Sequence, residues 1–239
     1  MAKQRGPVAS TFTGRVGNVV GAKMKGGEYV TRSYQPSVKN PNTLRQRVSR
    51  LRMATASQIA AILSPALQSG YAQASASTKM YPRNMFVKDM VVYDGMGVMT
   101  WDGTQLVMDY ESMLLSKKIG INAVPTISAL SATDPGFVTM SVANQTFTDN
   151  LPEGQMGVVI VAYCPHMREA VIHQMVAPTA APASVNLTVN PNWSGEDVYV
   201  YAFYKWIPET QNGVPTTTEP WKYPSETGAT VCAGHVTAG

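Results

Sequence analysis

Charged side chains make up only 14% of this chain, where a globular protein usually carries about a quarter. A surface so poor in charge has to be built from Thr, Ser, Asn, Gln and Gly, as in β-rich proteins and in proteins that cover themselves with partners. Cysteine is nearly missing. Cys164 and Cys232 are the only two, each inside an apolar β-like run, which predicts two buried thiols and no disulfide framework. The three histidines, His166, His173 and His235, form no H-x-x-x-H pair, and no C-x-x-C is present, so no metal site is expected. No window approaches the run of about 18 apolar residues that crosses a bilayer. The opening MAKQRGPVAS has basic residues with no apolar stretch behind them, unlike a secretory signal. A protein that stays in a cytoplasm, or leaves it by a route other than secretion, is expected. The N-x-S/T tripeptides at Asn144, Asn186 and Asn192 carry no weight without a secretory route.

Catalytic signatures are also missing. Gly14, Gly17 and Gly21 do not have G-x-G-x-x-G spacing, and a phosphate loop needs Gly-Lys-Ser/Thr, whereas Gly21 is followed by Ala22, Lys23 and Met24. There is no G-x-S-x-G elbow. Asp109 and Glu111 lie two apart, which is weak evidence for paired acid–base chemistry because acids near strand ends are usually solvated. A non-enzyme is expected, with no cofactor and no small-molecule substrate.

What charge there is lies unevenly. Residues 1–52 hold eleven Lys/Arg and one acid, Glu28, for a net +10, while residues 53–239 carry a net −6. Such asymmetry points to an anionic partner for the first segment. Within residues 1–41, Lys25-Gly26-Gly27-Glu28 reads as a two-residue hairpin turn, since Gly-Gly accepts the positive φ of primed turns. That turn pairs Met24 with Tyr29, Ala22 with Thr31 and Val20 with Ser33, and it places Lys23, Lys25 and Arg32 on the opposite, cationic face. Gly14, Gly17 and Gly21 suggest bends or close backbone approach.

Residues 42–120 open with a helix. Thr43 caps it, with Gln46 completing a capping box, and Leu44, Val48, Leu51, Ala54, Ile59 and Ile62 follow helical spacing. Arg45, Arg47, Arg50 and Arg52 flank that stripe, each offering a planar fork suited to phosphates. Ser64-Pro65 starts a second helical stretch, and a short helix is expected over Tyr81–Met90. Val91–Tyr93, Val98–Trp101 and Gln105–Tyr110 read as short hairpin strands. The frequent methionines here suggest adaptable core or interface.

Residues 121–239 are β throughout, with seven runs: Thr126–Ala132, Phe137–Val142, Gly157–Cys164, Glu169–Val176, Ser184–Val189, Asp197–Trp206 and Thr230–Val236. This spacing suggests a β-sandwich of the immunoglobulin or fibronectin type III kind, with Trp193 as a plug between the sheets. The Pro/Thr-rich loop 207–229 is expected to project or to contact a neighbour.

The blocks GRVGNVVGAKMKGGEYVTRS (14–33), NPNTLRQR (40–47) and NWSGEDVYVYAFY (192–204) resemble a family of uncharacterised proteins of Bacteroidota-type bacteria and their phages, known only as a domain of unknown function. The resemblance spans nearly the whole chain. It implies a prophage or small-genome setting and a structural role, and it carries no catalytic residues. Taken together, a mainly β chain with a helical segment is expected. It would be a non-enzymatic virion protein assembled in host cytoplasm, attaching through Lys23, Lys25, Arg32, Arg45, Arg47, Arg50 and Arg52 to other virion proteins, to copies of itself, or to nucleic acid. The alternative is a soluble, non-specific nucleic-acid-binding accessory protein. A cell-surface binding module is the third reading, which the missing signal peptide counts against.

Overall fold

The computed structural model describes residues 3–4, 12–24, 27, 29–37, 42–76, 78, 80–92, 97–118, 121, 123–134, 136–145, 154–208, 210–211, 214–215 and 230–238. The chain begins with strands β1 (Lys3–Gln4), β2 (Phe12–Val16), β3 (Val19–Lys23) and β4 (Tyr29–Ser33). Helices α1 (Leu44–Ile62), α2 (Ser64–Gly70), α3 (Ala72–Ala76) and α4 (Pro82–Val91) follow. Next come β5 (Met99–Trp101), β6 (Leu106–Met108), β7 (Ile127–Ser131), β8 (Phe137–Val142), β9 (Gly154–Cys164), β10 (Glu169–Val176) and β11 (Ala183–Thr188). A single 3-10 turn at Pro191–Trp193 leads to β12 (Asp197–Pro208), and β13 (Thr210–Gln211), β14 (Val214–Pro215) and β15 (Val231–Thr237) complete the order.

The runs MGVVIVAYC and DVYVYAFYKW are apolar at nearly every position, which suits a strand only when both its faces are covered. They form β9 and β12, paired antiparallel at the centre of a four-stranded sheet ordered β10-β9-β12-β15. Val158, Ile160, Ala162, Val200, Ala202 and Tyr204 point to one side. There they meet Val138, Met140, Val142, Val185 and Leu187 of a three-stranded sheet ordered β11-β8-β7. Val159, Val161, Tyr163, Tyr201 and Phe203 point to the other side, against the helices. All seven expected runs are therefore strands, divided between two antiparallel sheets that share one core. Trp193 plugs that core as expected, 1% exposed, with its indole N–H donating to Glu169 at 2.9 Å.

The helical layer covers the outer face of the four-stranded sheet. Leu63, Leu67, Tyr71, Phe86 and Met90 pack on it, joined by Met99, Met113 and Leu115, so residues 56–115 and 159–203 share one cluster. Both capping-box bonds are made at Thr43, and prolines occupy the first turns of α2 and α4. Asp102 turns the β5–β6 hairpin. Its carboxylate accepts from the backbone N–H groups of Thr104 and Gln105 at 2.7 Å each, and these bonds hold its pKa below the usual carboxylate range. One expected strand is corrected: Val91 belongs to α4 and not to a strand, because Met85, Phe86 and Met90 bury one face of that helix through its last turn. Residue 93, the end of that expected strand, lies outside the described residues. Cys164 is buried as expected, whereas Cys232 is only half-buried.

Phe203→Ala is expected to cost about 3–5 kcal/mol. Far-UV circular dichroism and tryptophan fluorescence, to which the buried Trp193 and Trp206 contribute, should report a single lowered transition in urea. Burial pushes the phenols of Tyr71, Tyr163 and Tyr201 well above their usual range. A folded-state pKa above the unfolded one favours folding fully below the unfolded value, and that advantage is lost as pH rises beyond about 10. Phenolate absorbance of these tyrosines should therefore appear together with alkaline unfolding and not before it.

Candidate attachment region

β1 to β4 form a separate four-stranded antiparallel sheet. Gly17 and Asn18 join β2 to β3, with Val16 opposite Val19. Gly17 has φ +57°, as the first position of a two-residue II′ turn requires. Gly21 is needed for contact: a side chain there would run into the Phe12 carbonyl and ring.

The register of the β3–β4 hairpin differs from the expected one. Lys23 lies opposite Tyr29, Ala22 opposite Val30, Gly21 opposite Thr31, Val20 opposite Arg32 and Val19 opposite Ser33. The Gly27 N–H donates to the Met24 carbonyl at 3.1 Å, and Gly27 has φ +87°. A two-residue primed turn at Gly26-Gly27 would pair Met24 with Tyr29; with Lys23 opposite Tyr29, one more residue lies between the paired positions. The extra residue moves one strand by a single step and exchanges its faces. Lys23 and Arg32 thus lie on opposite faces, and Lys25 falls outside the described residues. Lys23 sits with Tyr29, its ammonium 5.8 Å from the ring centre. Arg32 instead shares its face with Arg15, through Val20 between them. The Arg15 guanidinium stacks 3.6 Å from the centre of the Tyr34 ring, and its Nε–H donates to the Gly17 carbonyl at 2.9 Å. A depression of about 610 Å³ opens beside Arg32, Tyr34 and Gln35. Arg15 was not among the expected site residues. The Gly17-Asn18 turn signal places Arg15 opposite Val20, and the observed β3–β4 register then brings it beside Arg32.

α1 also departs from the expected pattern. Its buried residues are Ala56, Ile59 and Ala60, while Leu44 and Leu51 are 54% and 44% exposed and Ala54 is exposed too. At about 100° per residue, Leu44 and Leu51 point well away from the line of Ala56 and Ala60. The two groups are separate faces of the helix. Arg45, Arg47 and Arg50 are exposed on its outer half, and Arg52 is half-buried, its Nε without a hydrogen-bond partner. Neither core cluster contains a residue before Ala56. Among the described residues, Arg15, Lys23, Arg32, Arg45 and Arg47 make no ion pair. Val16, Val19, Met24 and Val30 are exposed between them. The region therefore offers cations interleaved with apolar side chains, on elements the core does not cover.

Elsewhere several titratable groups are engaged locally. His166 pairs with Glu196 at 2.9 Å and His235 with Glu111 at 3.0 Å, and Asp109 accepts from the Glu111 and Ser112 N–H groups in a turn. Among the described residues, no group of three or more His, Cys, Asp or Glu is placed to hold a metal. Among the described residues, no helix is long and apolar enough to cross a membrane.

The architecture is that of a β-rich protein with a helical layer and an uncovered basic sheet. A family model described as a family of unknown function (DUF6266) matches residues 11–211, and the chain belongs to that family. That span takes in the three blocks quoted above and ends inside the Pro/Thr-rich loop. No curated protein and no solved structure matches the chain.

Gly21→Val is expected to disrupt β2–β3 pairing through its clash with Phe12. Hydrogen exchange should show lost amide protection across Val19–Lys23, with the melting temperature of the body unchanged because no core residue is touched.

Proposed function

We propose that the chain is a non-enzymatic structural protein of a phage or prophage particle, anchored through its basic N-terminal region. The observation that carries this reading is the separation of charge from core. The first 52 residues hold a net +10, and the hydrophobic core begins only at Ala56. A small sheet with no core of its own is marginal in water and gains most of its stability from whatever covers it. Cations and valines on such a sheet suit an anionic surface within an assembly, and the resemblance to proteins of bacteria and their phages supplies the setting.

The body then presents a fibronectin type III-like sandwich. The strand distribution supports this: the first, second and fifth strands of the seven form one sheet, and the fourth, third, sixth and seventh form the other. In an immunoglobulin constant domain the fourth joins the first sheet instead. The outer face of the smaller sheet carries Phe137, Thr139, Ser141, Ser184, Asn186 and Thr188, with the Phe137 ring 44% exposed, an uncharged surface suited to packing against neighbours.

One arrangement favours the nucleic-acid reading. Arg15, Arg32 and Tyr34 on one face combine phosphate-binding forks with an aromatic ring on which a base can stack. Mass spectrometry of purified particles should find the protein at stoichiometric copy number, and its absence from them sinks the virion reading. In a salt series, Arg15→Ala/Arg32→Ala/Arg45→Ala should weaken binding to single-stranded DNA and lower the salt slope by about 2 if phosphates are the partner. If wild type and variant bind alike at low salt, the anionic partner of this face is not nucleic acid.

A further inference from the structure

The helical layer carries another surface, which continues outward from the edge of the core at Val87 and Val91. α1 and α4 lie side by side, tied where an Arg83 Nη–H donates to the Ser57 carbonyl at 3.0 Å. Between them runs a groove of about 500 Å³. Met53 of α1, Met80, and Val87 and Val91 of α4 form its apolar walls, with Val92 at its end. Met53 and Val92 are 49% and 46% exposed, so the apolar lining runs out to the surface as an open channel and does not close over a small ligand. The charged residues along it, Arg83 and Lys88, are both cations. Asp89, the only acid on α4, pairs with Lys117 at 3.8 Å and does not line the groove.

We propose that this groove binds an acidic amphipathic segment of another protein. Apolar side chains at helical spacing would enter between Met53, Val87 and Val91, and the flanking carboxylates would meet Arg83 and Lys88. Paired helices with a methionine-bearing apolar channel accept an amphipathic helix by adapting to its side chains. The sign of charge selects among occupants. A second copy docking through its own α1 would bring Arg45, Arg47, Arg50 and Arg52 against Arg83 and Lys88, a like-charge juxtaposition. Nucleic acid would satisfy the two cations and leave the methionine and valine walls facing phosphates. A bilayer surface requires apolar side chains on a convex face, whereas these line a concave one. The groove draws on the inner half of α1 and the attachment reading on its outer half, and the inference depends on the groove alone.

The test uses the full-length protein and two labelled peptides. Both have leucines at i, i+3, i+4 and i+7; glutamates fill the remaining positions in one and lysines in the other. In fluorescence anisotropy the glutamate peptide should bind saturably, at least about tenfold tighter than the lysine peptide. Met53→Asp/Lys88→Glu, two exposed positions, should weaken that binding by about tenfold or more with the thermal unfolding curve unchanged. Arg15→Ala/Arg32→Ala should leave it within about twofold, which separates a failure of this inference from a failure of the attachment reading. The proposal is overturned by no saturable binding of the glutamate peptide, by equal affinity for the lysine peptide, or by full affinity in the groove variant. It is equally overturned if duplex DNA, phosphatidylserine vesicles or self-association, in place of the peptide, is what the groove variant loses.

Discussion

Burial of β9 and β12 on both faces is the constraint on which the rest of the architecture depends. Their pairing runs from Tyr199–Tyr163 to Pro208–Gly154, and the alternation of side chains sends one apolar set to each side. Neither the helices nor the three-stranded sheet has an apolar surface large enough to stand alone, and each uses this pair as its floor. The polar atoms that enter with the tyrosines are satisfied: Tyr201 donates to the Tyr110 carbonyl at 2.7 Å and Tyr204 to the Gln145 side chain at 3.0 Å. Lys205 lies near the rim, with its ammonium donating to the Ser69 hydroxyl at 3.3 Å; partial burial lowers its pKa. Ser116 and Thr230 close the far edge, where hydroxyl and backbone N–H both meet the Thr230 oxygen at 2.7 Å.

The low charge of the sequence follows from this layering. Covering the outer face of the four-stranded sheet with helices removes one of the two surfaces that a free sandwich would solvate with Lys and Glu. The outer face of the smaller sheet uses hydroxyls, one amide and the Phe137 ring. Positive charge is concentrated in a segment from which no described residue enters either core cluster. Surface cations of this kind contribute little to stability when unpaired, so their abundance calls for an explanation outside the fold.

The legible parts of the fold were those determined locally. Seven runs bounded by Asp-Pro-Gly, Pro-His and Asn-Pro-Asn signals became strands because turn chemistry and alternation agree there, and Thr43 with Gln46 marked the helix start through a motif complete within four residues. The parts that were misread depend on one step of register or on a distant neighbour. One more residue between the paired positions of β3 and β4 shifts the register, and that one step separates Lys23 from Arg32. In α1, Leu44, Leu51 and Ile59 form a plausible stripe on paper, but the buried line runs through Ala56 and Ala60, and Leu44 and Leu51 point away from it. Arg15 was missed because its significance comes from a second hairpin, and the α1–α4 groove because its walls come from segments some thirty residues apart.

A surface that mixes valines with cations has to bind differently from one that carries cations alone. Cations act over roughly a Debye length and set the rate and sign of encounter, but a partner held only by them is released by salt. Each large apolar side chain covered adds on the order of 1.5–3 kcal/mol that salt does not screen. Val16, Val19 and Val30 on the sheet, and Met53 and Val92 at the groove, provide that second component next to the first. A partner that matched only the charge would leave those side chains wet, and one that matched only the apolar lining would have to strip solvent from Arg83 and Lys88 without replacing it. At the groove, both conditions together favour the occupant proposed above, a segment apolar at its centre and acidic at its edge.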